Sequence, residues 1–180
     1  MYIRSKKRKL NSGKIIEYAY LVSIKHRKTK TPKQKVKKYL GRIYKLEKKE
    51  NKLFKEAIAR DLDLYFKNKP LKRIKKDLVK LELLNYGFLE ISKDIFVFND
   101  FKVNLNKLEV LDSKNNPVSL EINNNFINSY TLNRILNYSP PRNLSQLQLA
   151  KEYANNLLSL GLTLPEDVFV RLFKKEFNKN

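Results

Sequence analysis

The side chains that most often carry catalysis or bind metal ions are sparse in this sequence. It contains no cysteine and one histidine, His26, which excludes thiolate sites and histidine-rich metal sites. Asp61 and Asp63 are the most closely spaced aspartates. Residues two apart on a helix do not face each other, so this pair would make a poor metal clamp. We expect both to be ordinary polar positions of an amphipathic helix, and we expect no metal site.

The single histidine does not indicate acid–base catalysis either. Its neighbours are basic, namely Lys25, Arg27, Lys28 and Lys30. Nearby positive charges disfavour protonation of an imidazole, and no adjacent residue would orient His26 as a base. The sequence also lacks a glycine-flanked serine elbow, and its 4 glycines form no phosphate-binding loop. We therefore expect no catalytic residues and no cofactor, and we do not expect an enzyme.

Positive charge is the chemical property that does stand out. The chain has 39 Lys and Arg against 18 Asp and Glu, a net charge of +21. Residues 1–50 hold 18 of the basic and 3 of the acidic side chains, which accounts for +15 of that total. A charge excess this concentrated repels itself in a compact state unless a polyanion neutralises it. The distribution predicts binding to the phosphates of DNA or RNA. An acidic membrane surface, another acidic partner and simple solubility are the competing interpretations.

The candidate phosphate contacts are 14 of the 16 cations of the first 45 residues. Arginine can fork onto a phosphate with two hydrogen bonds, whereas lysine acts as a point charge. These candidates are Arg4, Lys6, Lys7, Arg8, Lys9, Lys25, Arg27, Lys28, Lys30, Lys33, Lys35, Lys37, Lys38 and Arg42.

Four tyrosines lie among these cations: Tyr18, Tyr20, Tyr39 and Tyr44. Exposed aromatic rings between cations can stack on unpaired bases, whereas buried rings would form the core of a sheet. We favour the core for Tyr18 and Tyr20. For Tyr39 and Tyr44 both interpretations stay open.

The elements that would carry these side chains can be read from the hydrophobic pattern. Strands are predicted at 2–8, 14–25 and 34–43, with a turn at 11–13 and a basic loop at 26–33. In the second strand one face would hold Ile16, Tyr18, Tyr20, Val22 and Ile24, and the other Ile15, Glu17, Ala19, Leu21 and Ser23. The first 45 residues therefore predict a basic, three-stranded β-meander.

After this meander, hydrophobic residues recur at intervals of three and four residues, which is the spacing of amphipathic helices. Helices are predicted at 46–68 and 71–86, with Pro70 separating them and Gly87 capping the second. Strands follow at 88–91, 95–98, 101–105, 108–111 and 118–122, and further helices at 124–137, 144–160 and 165–177. The sequence thus predicts an α+β protein. Its meander (residues 1–45) would precede a helix-rich mixed domain with a small antiparallel sheet (residues 46–180).

The predicted helix at 71–86 carries its own row of cations. They are Lys72, Arg73, Lys75, Lys76 and Lys80. A helix followed by strands suggests a winged-helix-like part at residues 71–122, in which these side chains would contact DNA. The alternative is that they are an ordinary solvent-facing row of lysines and arginines.

Four short motifs follow one another along the first 45 residues in an order that is known from another family. They are Tyr2-Ile3-Arg4, Ser12-Gly13-Lys14, Tyr18-Ala19-Tyr20-Leu21-Val22 and Lys37-Lys38-Tyr39-Leu40-Gly41-Arg42-Ile43. This order resembles the N-terminal region of DDE-type insertion-sequence transposases, which precedes an RNase H-like catalytic domain in that family. The resemblance implies a DNA-contacting arm. It does not imply transposase activity, because residues 46–180 lack the strand–helix alternation of that catalytic domain.

Together these patterns predict a non-catalytic nucleic-acid-binding protein, with DNA favoured over RNA. A structured-RNA or ribosome-associated protein would use the same charges. An interaction adaptor is the other alternative, in which residues 88–177 hold a protein partner and exposed aromatic residues mark its docking face. No stretch approaches about 18 apolar residues, and the charged N-terminus has no apolar segment behind it. We therefore expect a cytoplasmic protein with no membrane partner.

Overall fold

A computed structural model of the chain describes residues 1–27, 30–141 and 143–177. The fold is α+β, as the sequence predicts: a three-stranded antiparallel meander precedes helices and a four-stranded antiparallel sheet. The meander consists of β1 (Tyr2–Lys9), β2 (Ile15–Arg27) and β3 (Lys30–Lys45). The alternating pattern of residues in β2 favours this meander, because β-branched and aromatic residues suit a pleated surface.

The remaining strands and helices follow in the order that the sequence predicts, with two exceptions described below. The helices are α1 (Phe54–Ala57), α2 (Leu62–Asn68), α3 (Leu71–Asn85), α4 (Ser129–Leu136), α5 (Gln146–Ser159) and α6 (Glu166–Phe177). The strands are β4 (Leu89–Ser92), β5 (Ile95–Phe98), β6 (Phe101–Asn104), β7 (Glu109–Asp112), β8 (Val118–Ile122) and β9 (Asn125–Ile127). None of the helices in the described ranges combines the length and apolarity that a membrane span requires.

The meander is joined to the rest of the chain through one sheet. Residues 42–45 of β3 pair in parallel with residues 118–121 of β8, and β8 pairs antiparallel with β9. The resulting strand order is β1-β2-β3-β8-β9, while β4 to β7 form the separate four-stranded sheet. The boundary predicted at residue 45 therefore coincides with the end of β3, and a cut there would remove the central strand of the five-stranded sheet.

Two hydrophobic clusters stabilise this arrangement. The larger one is built from α3, both sheets and α4 to α6, with Ile74, Phe96, Leu120 and Leu172 fully buried in it. The smaller one lies under the meander, where Ala19, Leu21, Leu40 and Ile43 pack against Phe126 of β9 and Tyr130 of α4. The smaller cluster therefore decides which face of the meander is covered.

The structure corrects the helix predicted over residues 46–68. Residues 46–53 belong to no helix or strand, and only the short helices α1 and α2 follow. Asn85, at the end of α3, accepts hydrogen bonds on its backbone carbonyl from the amides of Lys49 and Glu50, and its side chain bonds Lys52. Asp61 then caps α2 by accepting from the amide of Leu64 at 3.0 Å. Tertiary hydrogen bonds thus override the helical period.

Two smaller corrections concern residues 124–137 and 26–33. The first part of the predicted helix at 124–137 is strand β9, because Asn128 caps α4 through bonds from the amides of Tyr130 and Thr131. The predicted basic loop is mostly strand, since β2 reaches Arg27 and β3 starts at Lys30. The cap at Gly87 is confirmed: its φ is +85°, and the amide of the following residue bonds back to Leu83.

Candidate nucleic-acid interface

Strand register sorts the side chains of the meander onto two faces. Arg4 lies opposite Tyr20, which lies opposite Tyr39, and Lys6 lies opposite Tyr18, which lies opposite Arg42. Residues directly opposite each other in an antiparallel pair share a face. We call this face, with Arg4, Lys6, Arg8, Tyr18, Tyr20, Tyr39 and Arg42, the tyrosine face. The opposite face carries the smaller hydrophobic cluster and is the covered face.

The candidate phosphate contacts divide between these faces. Four lie on the tyrosine face, namely Arg4, Lys6, Arg8 and Arg42. Five lie on the opposite face, where they are exposed and outside the smaller cluster: Lys7, Lys9, Lys33, Lys35 and Lys38. Lys37 is exposed at a register shift in β3. Lys25, Arg27 and Lys30 lie in the ends of β2 and β3, and Lys28 falls outside the described residues. A single ligand therefore meets only part of the predicted set.

The cations of the meander differ from those of the rest of the chain in their partners. Among the side chains that the structure describes, the meander holds one ion pair, Lys7 with Glu17 at 3.0 Å. Arg4 donates to the neutral amide oxygen of Gln34. Elsewhere carboxylates pair with Lys48, Lys52, Lys55, Arg73, Lys75, Lys76, Lys80 and Arg171. The positive charge of the meander is thus mostly uncompensated within the described part of the chain.

The cations of α3 belong to the compensated group. Carboxylates hold four of the five, in the pairs Arg73–Asp77, Arg73–Asp94, Lys75–Glu176, Lys76–Asp94 and Lys80–Glu90. Lys75 is only 2 % exposed. A DNA contact through this row would have to break these pairs, so the arrangement argues against α3 as a recognition helix. Arg73 and Asp77 form a local pair four residues apart, but Glu90, Asp94 and Glu176 come from other elements, so no local pattern records their pairs.

The tyrosines of the meander do not form its core. The prediction that Tyr18 and Tyr20 are core residues is wrong, since both lie half-buried on the face opposite the smaller cluster. Tyr39 is the most open of the set, at 44 % exposed. Its ring centroid lies 6.1 Å from that of Tyr18 and 5.5 Å from that of Tyr20, with tilted planes. The three rings form a ledge on the tyrosine face.

Cations lie close to this ledge. The Nζ atom of Lys6 lies 5.3 Å from the centroid of the Tyr20 ring, and the guanidinium of Arg42 lies 4.7 Å from the centroid of Tyr44. Burial, followed by the neighbouring phenols, raises the pKa of Tyr39 despite the nearby Arg42. The Tyr39 hydroxyl therefore stays neutral at physiological pH, and it places no negative charge against a phosphate.

A groove of about 470 Å³ adjoins the ledge. Tyr18, Tyr39, Arg42 and Tyr44 line it from the meander, and Phe101, Asp112, Lys114 and Asn116 line it from the four-stranded sheet and the turn after β7. Tyr44 packs against Phe101 with ring centroids 4.7 Å apart, so Tyr44 belongs partly to the larger core. The residues after Asp100 were missed by sequence reasoning, because no local pattern relates them to the meander.

Gly41 sets the position of the groove. Its φ of +106° suits only glycine, and a Cβ there would lie 2.2 Å from the carbonyl oxygen of Pro117. Leu40 is the extra residue at the register shift between the pairs Ala19–Gly41 and Tyr20–Tyr39, so β3 bends close to where it meets β8. Ser119 fixes the bend by donating its hydroxyl to the Leu40 carbonyl at 2.9 Å. The Tyr-Leu-Gly sequence thus joins the tyrosine face to β8 within the five-stranded sheet.

The remaining candidates from the sequence are Asp61, Asp63 and His26, and the two aspartates have separate roles. Asp61 caps α2, whereas Asp63 pairs with Arg171, so the two aspartates do not act together. His26 lies in β2. Within the described ranges, no three His, Cys, Asp or Glu side chains are grouped closely enough to hold a metal ion.

The features that the structure brings together are thus the uncompensated cations, the tyrosine ledge and the groove beside it. Comparison with known proteins adds no precedent for this arrangement. No protein-family model, no curated protein and no solved structure matches the chain.

Proposed function

We propose that this protein is a non-catalytic nucleic-acid-binding protein that contacts the phosphate backbone through its β-meander. The observation that carries the proposal is the contrast in ion pairing. Carboxylates pair with eight of the cations of the body, whereas the described meander cations have one carboxylate partner between them, Glu17. Surface charges left uncompensated in this way are available to a polyanion. Displacement of condensed counterions from that polyanion would then drive binding.

DNA is the favoured ligand because of the resemblance of residues 1–45 to the DNA-contacting region of transposases. RNA offers the same phosphate charge, and the cations do not separate the two. Structured RNA is therefore included as a ligand in the binding test below, and it is not a separate proposal. In either case the arginines Arg4, Arg8 and Arg42 supply the forked hydrogen bonds to phosphate, and the lysines supply point charge.

No observation favours the adaptor alternative. Large apolar side chains that are exposed in the described part of residues 88–177 are aliphatic: Leu89, Ile91, Leu147, Leu158 and Val170. They are distributed over β4, α5 and α6. Exposed leucines and valines are normal for a protein surface and do not by themselves mark a docking face.

The test compares triple variants that each remove three positive charges. Two come from the meander, Arg4→Ala with Lys6→Ala and Arg8→Ala, and Lys33→Ala with Lys35→Ala and Lys38→Ala. The matched control comes from exposed positions of the body, Lys69→Ala with Lys102→Ala and Lys151→Ala. Binding to duplex DNA, single-stranded DNA and structured RNA is measured by fluorescence anisotropy at one salt concentration.

We expect at least one meander variant to lose roughly tenfold or more in affinity, while the control loses no more than about twofold to threefold. Each lost phosphate contact weakens all sequences alike, because backbone contacts carry no sequence information. Equal losses in the control and both meander variants would overturn the proposal. So would the absence of measurable binding to any of the three ligands.

A further inference from the structure

We infer that the tyrosine face is a stacking platform for unpaired bases, so that the preferred ligand is single-stranded nucleic acid. This inference rests on the proposed function and narrows it to one ligand class. It comes from the placement of the tyrosine ledge between the cations of β1 and the groove beside β7. Aromatic rings within a positively charged groove are the features that bind single strands without sequence preference.

The exposure of Tyr39 is the first observation behind it. A tyrosine whose role is packing would lie on the covered face, where Ala19, Leu21 and Leu40 meet Phe126. Tyr39 instead points its ring away from that cluster and keeps 44 % of its surface exposed. Among the described residues no cation lies over the Tyr39 ring, in contrast to the rings of Tyr20 and Tyr44. A base can therefore reach it.

The cations around the ledge are the second observation. Arg4, Lys6 and Arg8 follow one another at every second position of β1, so they form a row along one edge of the tyrosine face. Arg42 closes the ledge on β3, opposite Tyr18. A strand whose bases lie on the tyrosines would have its phosphates beside this row. Cations and rings on one face thus suit a flexible strand whose bases are turned outward, and a duplex keeps its bases inside.

The groove is the third observation. Its aromatic lining, from Tyr18, Tyr39, Tyr44 and Phe101, continues the ledge inward. Its volume of about 470 Å³ is within the range of about 300–1,000 Å³ typical of small-molecule sites, so it has room for one base. Asp100 and Asp112 also line it. The Asp112 carboxylate already accepts hydrogen bonds from Lys114 and Asn116. Asp100 repels phosphate but can accept a hydrogen bond from the amino group of a base, so the groove suits a base edge.

The experiment uses the full chain and three substitutions in β3. Tyr39→Leu removes the ring, Tyr39→Phe keeps it, and Val36→Thr alters another exposed side chain of the same strand without an aromatic ring. The probes are a 12-mer of deoxythymidine, a 12-mer of uridine and a mixed-sequence 12-base-pair DNA duplex. Affinity is measured by anisotropy, and ring contact by quenching of tyrosine emission, which is readable because the chain has no tryptophan.

We expect the wild-type protein to bind the single strands more tightly than the duplex, with quenching. Tyr39→Leu should lose roughly fivefold to a hundredfold in single-strand affinity, the usual effect of one stacked base, and little in duplex affinity. Tyr39→Phe and Val36→Thr should stay within about twofold of wild type. The difference in affinity between the deoxythymidine and uridine 12-mers shows whether the protein prefers single-stranded DNA or single-stranded RNA.

Unchanged single-strand affinity in Tyr39→Leu would overturn the inference. If the Arg4, Lys6 and Arg8 triple variant still lost affinity in that case, the proposed function would stand and the ligand would contact phosphates alone. Equal losses for duplex and single strand in Tyr39→Leu would also overturn it, because such losses would reflect a structural effect. If neither the tyrosine nor the charge variants changed binding, the proposed function would fail as well.

Discussion

Gly41 of β3 lies against the backbone of Pro117, so closely that a Cβ at position 41 would stand 2.2 Å from the Pro117 carbonyl oxygen and 2.5 Å from the Cα of Val118. This contact is where the meander and the strand β8 come together. Because the obstructing atoms are backbone, no side-chain rotation can relieve the overlap. The joint between the two parts of the five-stranded sheet therefore depends on the absence of a side chain at one residue.

Gly41→Ala should destabilise the protein by about 3 kcal/mol or more. The left-handed φ costs an L-residue about 1–2 kcal/mol, and forcing a methyl group into packed backbone costs about 1–3 kcal/mol. Gly13→Ala is the matched control, since its φ is +81° with nothing within 4 Å of the added Cβ. It should lose only about 1 kcal/mol. Urea unfolding of both variants measures the difference, and equal losses would contradict the role of the Pro117 contact.

The buried pair of Lys75 and Glu176 should couple strongly in a double-mutant cycle. Their charged atoms lie 2.5 Å apart with side chains 3 % and 6 % exposed, and the Tyr153 hydroxyl donates to the same carboxylate. Lys75→Met or Glu176→Leu alone leaves a buried charge unpaired, at a cost of about 3–5 kcal/mol. The double variant should lose less than either single one. Thermal and urea unfolding measure all three, and additive losses would mean that the pair is not coupled.

Asp94 should make the free energy of unfolding vary with pH in the acidic range. Burial alone would raise the pKa of Asp94, but hydrogen bonds and charge from Lys76 and Arg73, each at 2.8 Å, lower the pKa below its ordinary value. A carboxyl with a depressed folded-state pKa stabilises fully above its unfolded pKa of about 3.9, and this contribution is lost as pH falls through the folded value.

Asp94→Asn tests this dependence, because asparagine tolerates the φ of +65° at this position. At neutral pH the variant should lose about 2 kcal/mol, the usual value of hydrogen bonds to a charged group. The difference from wild type should shrink as the pH falls below about 4. Asp63→Asn, at an exposed ion pair with Arg171, is the control and should lose at most about 1 kcal/mol. A difference that stays constant with pH would rule out this role for Asp94.

The slope of log affinity against log salt concentration should report how many phosphates the meander contacts. Log affinity should fall linearly with log salt, by about 0.9 per neutralised phosphate on a duplex and about 0.7 on a single strand. If about half of the candidate cations contact one duplex, the slope is on the order of −5 to −7. Removing Arg4, Lys6 and Arg8 together should make it shallower by up to about three. Titrations at several salt concentrations measure it, and a wild-type slope shallower than about −2 would mean that the charge is mostly solvent-facing.

Local sequence patterns determined much of the framework. The alternation of β2 predicted both of its faces, and the register with β1 confirms them. The strands from β5 to β8 and the helices α3, α5 and α6 lie within a residue or two of their predicted bounds, and Gly87 ends α3 as expected. These features follow from backbone geometry over a few residues, because side-chain period, glycine and proline act locally. The step in charge at the end of the meander is likewise a property of the sequence alone.

Only the tertiary structure decided which of those features could form a site. Alternation places Tyr18 and Leu21 on different faces but does not say which face is covered, and the answer comes from Phe126 and Tyr130, more than eighty residues away. The cations of α3 resemble those of the meander in sequence, yet carboxylates pair with four of the five, and Glu176 does so from about a hundred residues away. The cover of the meander by Phe126 and Tyr130 depends on the parallel pairing of β3 with β8. That pairing joins segments far apart in the chain, so no local period records it.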